Sequence, residues 1–401
     1  MVVSPNTTPL LGIDACMKLN LVKRVEATET QPDESKEKRV KGNATQPNKS
    51  NSEEATHNQS NPNHAVENPR SKRAREKFVK QNPEIFKGLG KFPGKIKLHV
   101  TECNKLPNEP PRRIPSSLRR NFRRALNKLI NKGIIAKVNN LNPEHCINHL
   151  VVAEKENGDL RFCLDPQELN KLIIPHHHLL PTVAEISEKL QHNEFYSVFD
   201  LKDGYHQLVL NDTSSNLCCF ATPFGVFRSL RLPFGISCAS EIFQKRMEEI
   251  FKDIPNVMFF QDDLLIFTRT EKEHDEAVKI VIERAQKQNI KFNPNKLQYK
   301  CKEVKYVGFK FSKEGRQLDV QRSKALLAVE PPTSKKQLQR YIGMFHFVRD
   351  IIPNMSSVIA PLRDLLKDDV SFQWLPAHEQ SFKDLKSLVA NSPVLVNFDP
   401  S

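Results

Sequence analysis

The 401-residue sequence predicts a fold in which β-hairpins alternate with amphipathic helices. Apolar residues flank the carboxylate pair Asp262-Asp263 on both sides, a pattern typical of a hairpin with acids at its tip. A second apolar segment, residues 195–199, ends directly at Asp200. Beyond Pro331-Pro332 the apolar spacing is that of helices. Together these observations favour an α+β fold in which acidic side chains stand at strand ends.

The acidic hairpin suggests a site for cations. Two adjacent like charges in an apolar setting are costly unless cations neutralise them. Three carboxylates at strand ends are what a two-metal phosphoryl-transfer site needs, with ions about 3.5–4 Å apart. For the pair Asp262-Asp263 alone, ordinary turn chemistry remains an alternative, because Asp is common in turns.

The helices are predicted from apolar periodicity. One follows the extended segment 110–115, is capped by Ser116 or Ser117, and ends at Gly133. Its expected apolar face comprises Leu118, Phe122, Leu126, Leu129 and Ile130. The opposite face is basic and is either solvated or in contact with template phosphates: Arg119, Arg120, Arg123 and Arg124.

Further helices are predicted over 240–251, 272–289, 334–351, 356–368 and 377–390. In the second of these, the side chains expected to face inward are Ala277, Ile280, Val281 and Ala285.

The composition favours a polyanionic partner. Lys and Arg number 61 against 47 Asp and Glu, a formal net charge of +14. No apolar run approaches the roughly 18 residues of a membrane span, so no membrane association is expected. Eight scattered cysteines indicate reduced thiols and an intracellular protein.

Four short motifs occur in a fixed order: FDLKDGYHQ at 199–207, LPFG at 232–235, FQDD at 260–263 and VKYVGF at 304–309. Each is weak alone, but the series in this order and spacing is specific. From about Pro110 to the C-terminus the sequence resembles the reverse transcriptases of long-terminal-repeat retrotransposons of the Gypsy/Ty3 group, in a truncated copy.

This resemblance implies an α+β right-hand polymerase with fingers, palm and thumb, an antiparallel palm sheet, and the start of a connection domain. It implies an RNA-directed DNA polymerase that uses deoxynucleotides and an RNA or DNA template-primer. The alternative is a catalytically idle nucleic-acid-binding relic of the same fold. The expected location is the cytoplasm or nucleus, or a virus-like particle if the element is active.

By resemblance, Asp200 and Asp262 are the principal ligands of two Mg²⁺ ions, with Mn²⁺ as a possible substitute. Asp263 matches the more peripheral third acid, and the backbone carbonyl of Leu201 completes the second metal site. In the fingers, Lys155 and Arg161 match the contacts to the triphosphate.

The remaining implied residues surround the nucleotide and primer. Lys296 matches a lysine near the leaving pyrophosphate, and Tyr205 matches an aromatic residue that clashes with a 2′-hydroxyl. Phe234 and Gly235 match the segment beneath the incoming base and template. The primer grip, which aims the 3′ end, matches Tyr306, Val307 and Gly308.

Four regions are predicted along the chain. Residues 1–26 resemble the C-terminal end of a retropepsin-like protease, and the polar residues 27–80 are expected to be a disordered linker. Residues 81–315 are expected to form the fingers and palm, and residues 316–401 the thumb and the start of a connection or RNase H-like region. The oligomeric state is not predicted.

Overall fold

The structure is a computed structural model that describes residues 23–24, 69–103, 105–154, 159–175, 178–346, 348–349 and 354–391. The helices are α1 Pro69–Gln81, α2 Pro83–Phe86, α3 Arg119–Asn131, α4 Gln167–Leu172, α5 Val183–Lys189, α6 Asp212–Leu217, α7 Ala239–Phe251, α8 Glu271–Lys287, α9 Val320–Leu327, α10 Lys335–His346, α11 Met355–Asp364 and α12 Pro376–Ala390. Short 3₁₀ helices span Ser116–Leu118 and Gly204–Gln207. None of the helices described is long and apolar enough to cross a membrane.

The strands pair mainly in antiparallel fashion. They are β1 Lys23–Arg24, β2 Lys95–Ile96, β3 Ile135–Lys137, β4 Ile147–Glu154, β5 Leu160–Asp165, β6 Phe195–Asp200, β7 Val209–Leu210, β8 Cys219–Thr222, β9 Gly225–Ser229, β10 Val257–Phe260, β11 Asp263–Thr268, β12 Gln298–Cys301, β13 Glu303–Tyr306, β14 Phe309–Ser312 and β15 Gly315–Leu318. The largest sheet has the order β1-β4-β8-β9-β3, with β5 paired to β4.

The predicted palm sheet is present as four antiparallel strands in the order β10-β11-β6-β12. Its strands are apolar on both faces, because both faces are buried. Phe199 and Leu264 pack into one hydrophobic core, shared with the fingers. Val198 and Leu265, one residue along each strand, pack into a second core, shared with the C-terminal helices. The sheet therefore separates two cores and is held from both sides.

Several predicted elements are confirmed with shifted ends. The acidic hairpin is β10–β11. The C-terminal helices fall where periodicity placed them. The expectation that Ile280 faces inward is wrong: its side chain is 42% exposed. The buried stripe of α8 is centred on Val281 instead, with Val278 and Ala285 at helical spacing.

The predicted serine cap is also wrong. Ser116 and Ser117 lie inside a 3₁₀ turn, and α3 begins after Leu118 with no side-chain cap. A 3₁₀ turn at a helix start supplies some of the missing backbone hydrogen bonds itself. Of the predicted apolar face, Phe122 and Leu126 are buried, whereas Ile130 is 38% exposed.

The expected disordered linker does not extend to residue 80, because residues 69–81 form α1. Phe78 is buried in this helix and stacks on Tyr299 of β12, with ring centroids 4.2 Å apart. Its ring also meets Phe86 and Phe199 edge-on. The helix is polar on average, but one aromatic anchors it to the palm. The rest of the predicted linker and nearly all of residues 1–26 lie outside the described residues.

Candidate active site

The three predicted acids meet at one end of the palm sheet. Asp200, the last residue of β6, pairs in register with Asp263, the first residue of β11. Asp262 precedes Asp263 in the turn, and its carbonyl accepts a 2.8 Å hydrogen bond from the Leu201 N–H. A Cβ added to Gly204 would lie 2.6 Å from Oδ1 of Asp262. Glycine at that position therefore leaves room for the carboxylate.

Burial disfavours the ionised forms of Asp262 and Asp263. Burial, together with the charge of Asp200, raises the pKa of Asp262 to about 6. Burial likewise raises the pKa of Asp263 to about 7, together with the charges of Asp200 and Asp262. Oδ1 of Asp262 is buried and has no hydrogen-bond partner. An orphaned acceptor among like charges has the properties of a site that takes up a cation.

Lys296 provides a positive charge within the cluster. Its Nζ donates a 2.8 Å hydrogen bond to Oδ2 of Asp200. Burial lowers the pKa of Lys296, but the hydrogen bond and charge of Asp200 outweigh it and raise the pKa. Within the described residues, no three His, Cys, Asp or Glu side chains are already closed around a common point as metal ligands. Asp200 is directed to Lys296 instead.

A fingers residue reaches the same site. Arg161 on β5 lies over the ring of Phe234, with its Cζ 5.8 Å from the ring centroid. Its charge counteracts the rise in the pKa of Asp262, so the guanidinium is within electrostatic reach of the acids. Phe234 also contacts the Tyr205 ring, at a centroid distance of 5.1 Å. The structure thus brings Arg161, Phe234 and Tyr205 together beside the carboxylates.

Known proteins are similar to this chain in sequence and in fold. Residues 153–311 match the family described as reverse transcriptase (RNA-dependent DNA polymerase). The Transposon Tf2-3 and Tf2-7 polyproteins of Schizosaccharomyces pombe are each 30% identical to it over 279 residues, covering 69% of this chain and 21% of theirs. This chain therefore spans about a fifth of the length of these relatives. The chain contains a Gypsy-type reverse transcriptase domain.

Solved structures of reverse transcriptases have the same architecture. A foamy viral protease-reverse transcriptase superimposes with a TM-score of 0.74 at 20% identity, covering 84% of this chain and 60% of the viral one. A second structure of the foamy viral protein gives a TM-score of 0.73 at 21% identity, covering 84% and 71%. The likeness confirms the predicted right-hand polymerase fold with its antiparallel palm sheet.

In this reverse transcriptase domain, Gly235 approaches protein backbone closely. Its φ is +107°, and an added Cβ would overlap the carbonyl oxygen of Leu164 on β5. The Leu164 N–H donates to the Phe234 carbonyl at 3.1 Å. The close approach that requires glycine is thus to a fingers strand, which the sequence prediction did not anticipate.

The predicted primer grip of the reverse transcriptase domain is the turn between β13 and β14. Val307 and Gly308 form its tip, with φ of +49° and +77°. Tyr306 is only 2% exposed, and its hydroxyl donates to the Asp263 carbonyl at 3.3 Å. Tyr306 therefore joins the turn to the acids, while Val307 packs partly buried against the second core and Gly308 lies against Arg322.

One predicted site residue of the reverse transcriptase domain, Lys155, lies outside the described residues. Leu201 is buried and directly follows Asp200, so it lies next to the acids, where the prediction assigned it. The metal, substrate and primer roles assigned to the thirteen site residues remain predictions.

Sequence reasoning missed Gln244, which is 1% exposed on α7. Its Nε2 donates to the Phe259 carbonyl at 3.1 Å, and its Oε1 accepts from the Gln261 N–H at 3.2 Å. Gln261 has a φ of +53°. One side chain thus bonds to the end of β10 and to the first residue of the acidic turn. The sequence signal that could have revealed Gln244 is its place next to the apolar stripe that Phe243 and Met247 form on α7.

Proposed function

We propose that this chain is an RNA-directed DNA polymerase that adds deoxynucleotides to the 3′-hydroxyl of a primer. The observation that carries the proposal is the junction of Asp200, Asp262 and Asp263 at neighbouring strand ends. The family match and the polymerase fold support it. Nucleotidyl transfer requires a place where negative charge on reacting oxygens can be neutralised, and a cluster of buried acids that needs cations suits it.

The residues present fit a pair of Mg²⁺ ions, with Mn²⁺ as a substitute. The fit rests on the unpartnered Oδ1 of Asp262 and on the raised pKa values of Asp262 and Asp263. Asp200, Asp262 and Asp263 would hold the ions, with the carbonyl of Leu201 beside them. When bound, the ions activate the attacking 3′-oxygen and stabilise charge on the leaving pyrophosphate.

The chain's own cations then bind the triphosphate. Arg161 is placed by β5 at the edge of the acid cluster, where its forked guanidinium can bind phosphate oxygens. Lys155, which lies outside the described residues, is assigned to the same phosphates. Lys296 lies among the acids and is the cation assigned to the leaving pyrophosphate.

The sugar of the nucleotide is expected to rest against Tyr205. This residue lies in the 3₁₀ helix that follows Asp200, and its ring packs against Phe234 and Phe243 at 5.1 and 5.4 Å. Apolar neighbours on two sides leave the ring little freedom to move. A fixed aromatic ring beside the acids would fill the space that a 2′-hydroxyl requires, which favours deoxynucleotides.

The template-primer is the proposed macromolecular partner. The foamy viral relatives were solved in complex with double-stranded DNA and with an RNA/DNA hybrid. The net charge of +14 on this chain suits such a polyanion. Arg119, Arg120 and Arg124 form an exposed basic face on α3 that is available for template phosphates.

The proposal is tested by primer extension with the purified chain on poly(rA)/oligo(dT), with dTTP and Mg²⁺. Extension that stops on addition of EDTA is expected. A parallel run with Mn²⁺ checks the alternative ion. A chain that binds the labelled primer-template but extends it with neither ion would contradict the proposal and identify an idle nucleic-acid-binding relic.

A further inference from the structure

The hydroxyl of Tyr205 has a specific partner. Tyr205 Oη and Ser240 Oγ lie 2.8 Å apart, within hydrogen-bond distance, and both residues are half-buried. Burial raises the pKa of Tyr205, so the phenol stays protonated at neutral pH. Packing against Phe234 and Phe243 confines the faces of the ring, whereas this hydrogen bond fixes the position of its far end.

Ser240 belongs to the same helix that holds the acidic turn. It is the second residue of α7, and Gln244 lies four residues later, one helical turn away on the same face. Gln244 is bonded to Phe259 near the end of β10 and to Gln261 in the turn. One helix face therefore contacts Tyr205 at Ser240 and the acid-bearing turn at Gln244.

The 3₁₀ helix that carries Tyr205 also touches the acids directly. Gly204 lies so close to Asp262 that an added Cβ would be 2.6 Å from Oδ1 of that residue. The backbone next to Tyr205 is thus set against Asp262 at one end. The ring is set against α7 at the other end, through Ser240.

We propose that Ser240 is a positioning residue that holds the Tyr205 ring at the distance from the acids at which a 2′-hydroxyl is excluded. The inference rests on the proposed polymerase function and deepens it, because it assigns sugar selectivity to a contact between two side chains. The hydroxyl of Tyr205 is then required for selectivity in addition to its ring. Without the hydrogen bond the ring has more freedom, and a ribonucleotide is admitted more often.

The experiment measures kcat/KM for a deoxynucleotide and for the matching ribonucleotide in single-nucleotide primer extension. Ser240→Ala and Tyr205→Phe are each expected to lower the ratio of these two values by about two- to tenfold, the range for one hydrogen bond. The double variant is expected to lower it no further than either single change, because both remove the same contact. Ser240→Thr keeps a hydroxyl and is expected to retain most of the selectivity.

Two further variants serve as the negative and the positive control for the loss of sugar selectivity. Ser237→Ala changes an exposed serine in the segment leading to α7 and keeps its backbone hydrogen bond to Asn170, so an unchanged ratio is expected. Tyr205→Val removes the ring and is expected to lower the ratio by about tenfold or more, which is at least as much as Ser240→Ala.

Three outcomes would overturn the inference. In an active enzyme, an unchanged ratio in Ser240→Ala shows that the contact does not set selectivity. Additive losses in the double variant show that the two hydroxyls act separately. Parallel losses of both kcat/KM values in Ser240→Ala, with a lower Tm, show a purely structural role. Wild-type protein that extends no primer would overturn the proposed function, and this inference with it.

Discussion

Two hairpins of this protein have loops of the same length and face different demands. The catalytic hairpin, residues 257–268, turns through Gln261 and Asp262, because Phe260 pairs with Asp263. The grip hairpin, residues 303–312, turns through Val307 and Gly308, because Tyr306 pairs with Phe309. Two-residue turns favour Asn or Gly where φ is positive. Here Gln261 and Val307 adopt φ of +53° and +49° instead.

Each unfavourable turn is held by a glutamine, but for a different purpose. Gln244 bonds to the Phe259 carbonyl on β10 and to the Gln261 N–H in the catalytic turn. Gln298 bonds twice to the backbone of Lys305, which leads into the grip turn. The catalytic turn buries charge next to charge, whereas the two residues of the grip turn, Val307 and Gly308, carry no charge. The comparison teaches that backbone strain occurs at both functional turns, and that only one of them combines it with electrostatic cost.

The largest expected effect is that of Asp262→Asn. It should lower primer extension by at least about a thousandfold, or roughly 4 kcal/mol, because the site loses an acid that the cations need. Primer-template affinity, measured by fluorescence anisotropy, should change little. Asp253→Asn is the matched control, since Asp253 is exposed and pairs with Arg284 away from the acids. Equal losses of binding and extension would mean that Asp262 is structural.

The grip hairpin can be tested through Gly308→Ala. An added Cβ would overlap the guanidinium of Arg322, and the φ of +77° disfavours any side chain. Gly133→Ala is the control, because Gly133 has a φ of +63° but nothing within 4 Å of the added Cβ. We expect urea unfolding to show a loss larger by about 1–2 kcal/mol at Gly308. Equal losses would show that Arg322 yields freely.

The two glutamines are expected to separate chemistry from primer placement. Gln244→Ala leaves buried backbone groups unpaired at the acidic turn, which costs about 1–3 kcal/mol, so kcat should fall with little change in KM for primer-template. Gln298→Ala loosens the grip strand and should mainly raise that KM. Steady-state extension kinetics check both. If both variants changed kcat and KM in the same way, the two hairpins would not have separate roles in chemistry and primer placement.

The last expected effect is a pH dependence of stability that is specific to the catalytic hairpin. The folded-state pKa values of Asp262 and Asp263, about 6 and 7, lie above the ordinary value of 3.8. The folded protein therefore keeps protons that the unfolded chain has lost. Without metal, the contribution to the unfolding free energy is present below about pH 4 and is lost as pH rises to about 7.

Urea unfolding in EDTA at several pH values measures this effect. The stability of Asp262→Asn relative to wild type should increase by on the order of 2 kcal/mol over that range. Comparing the two proteins cancels the contributions of unrelated carboxylates. A difference that stays flat with pH would contradict the idea that burial, together with repulsion between the acids, raises their pKa values in the folded state.

Much of the palm could be predicted because its pattern is local. Apolar runs that end at Asp200 and Asp262 place acids at strand ends, and pairing of β6 with β11 then brings them together. The ordered motifs added the fold class, which the comparisons confirm.

The side-chain contacts of Gln244 and Ser240 could not be predicted, because they join residues that are far apart in the sequence. Gln244 reaches residues 15 and 17 positions away, and Ser240 meets Tyr205 across 35 positions. Helix α1 was missed for another reason. Its average composition is polar, and the one aromatic that anchors it is lost in that average. A single buried residue such as Phe78 changes the average composition of a helix very little.

The stacking of Phe78 on Tyr299 defines where the reverse transcriptase domain can be separated from the sequence before it. The relatives are polyproteins, in which this domain is one segment among several. A proteolytic cut after Gln81 would detach Phe78 and uncover Tyr299 on β12, next to the strand that ends in Asp200. The safe cleavage boundary on the upstream side is therefore before Pro69.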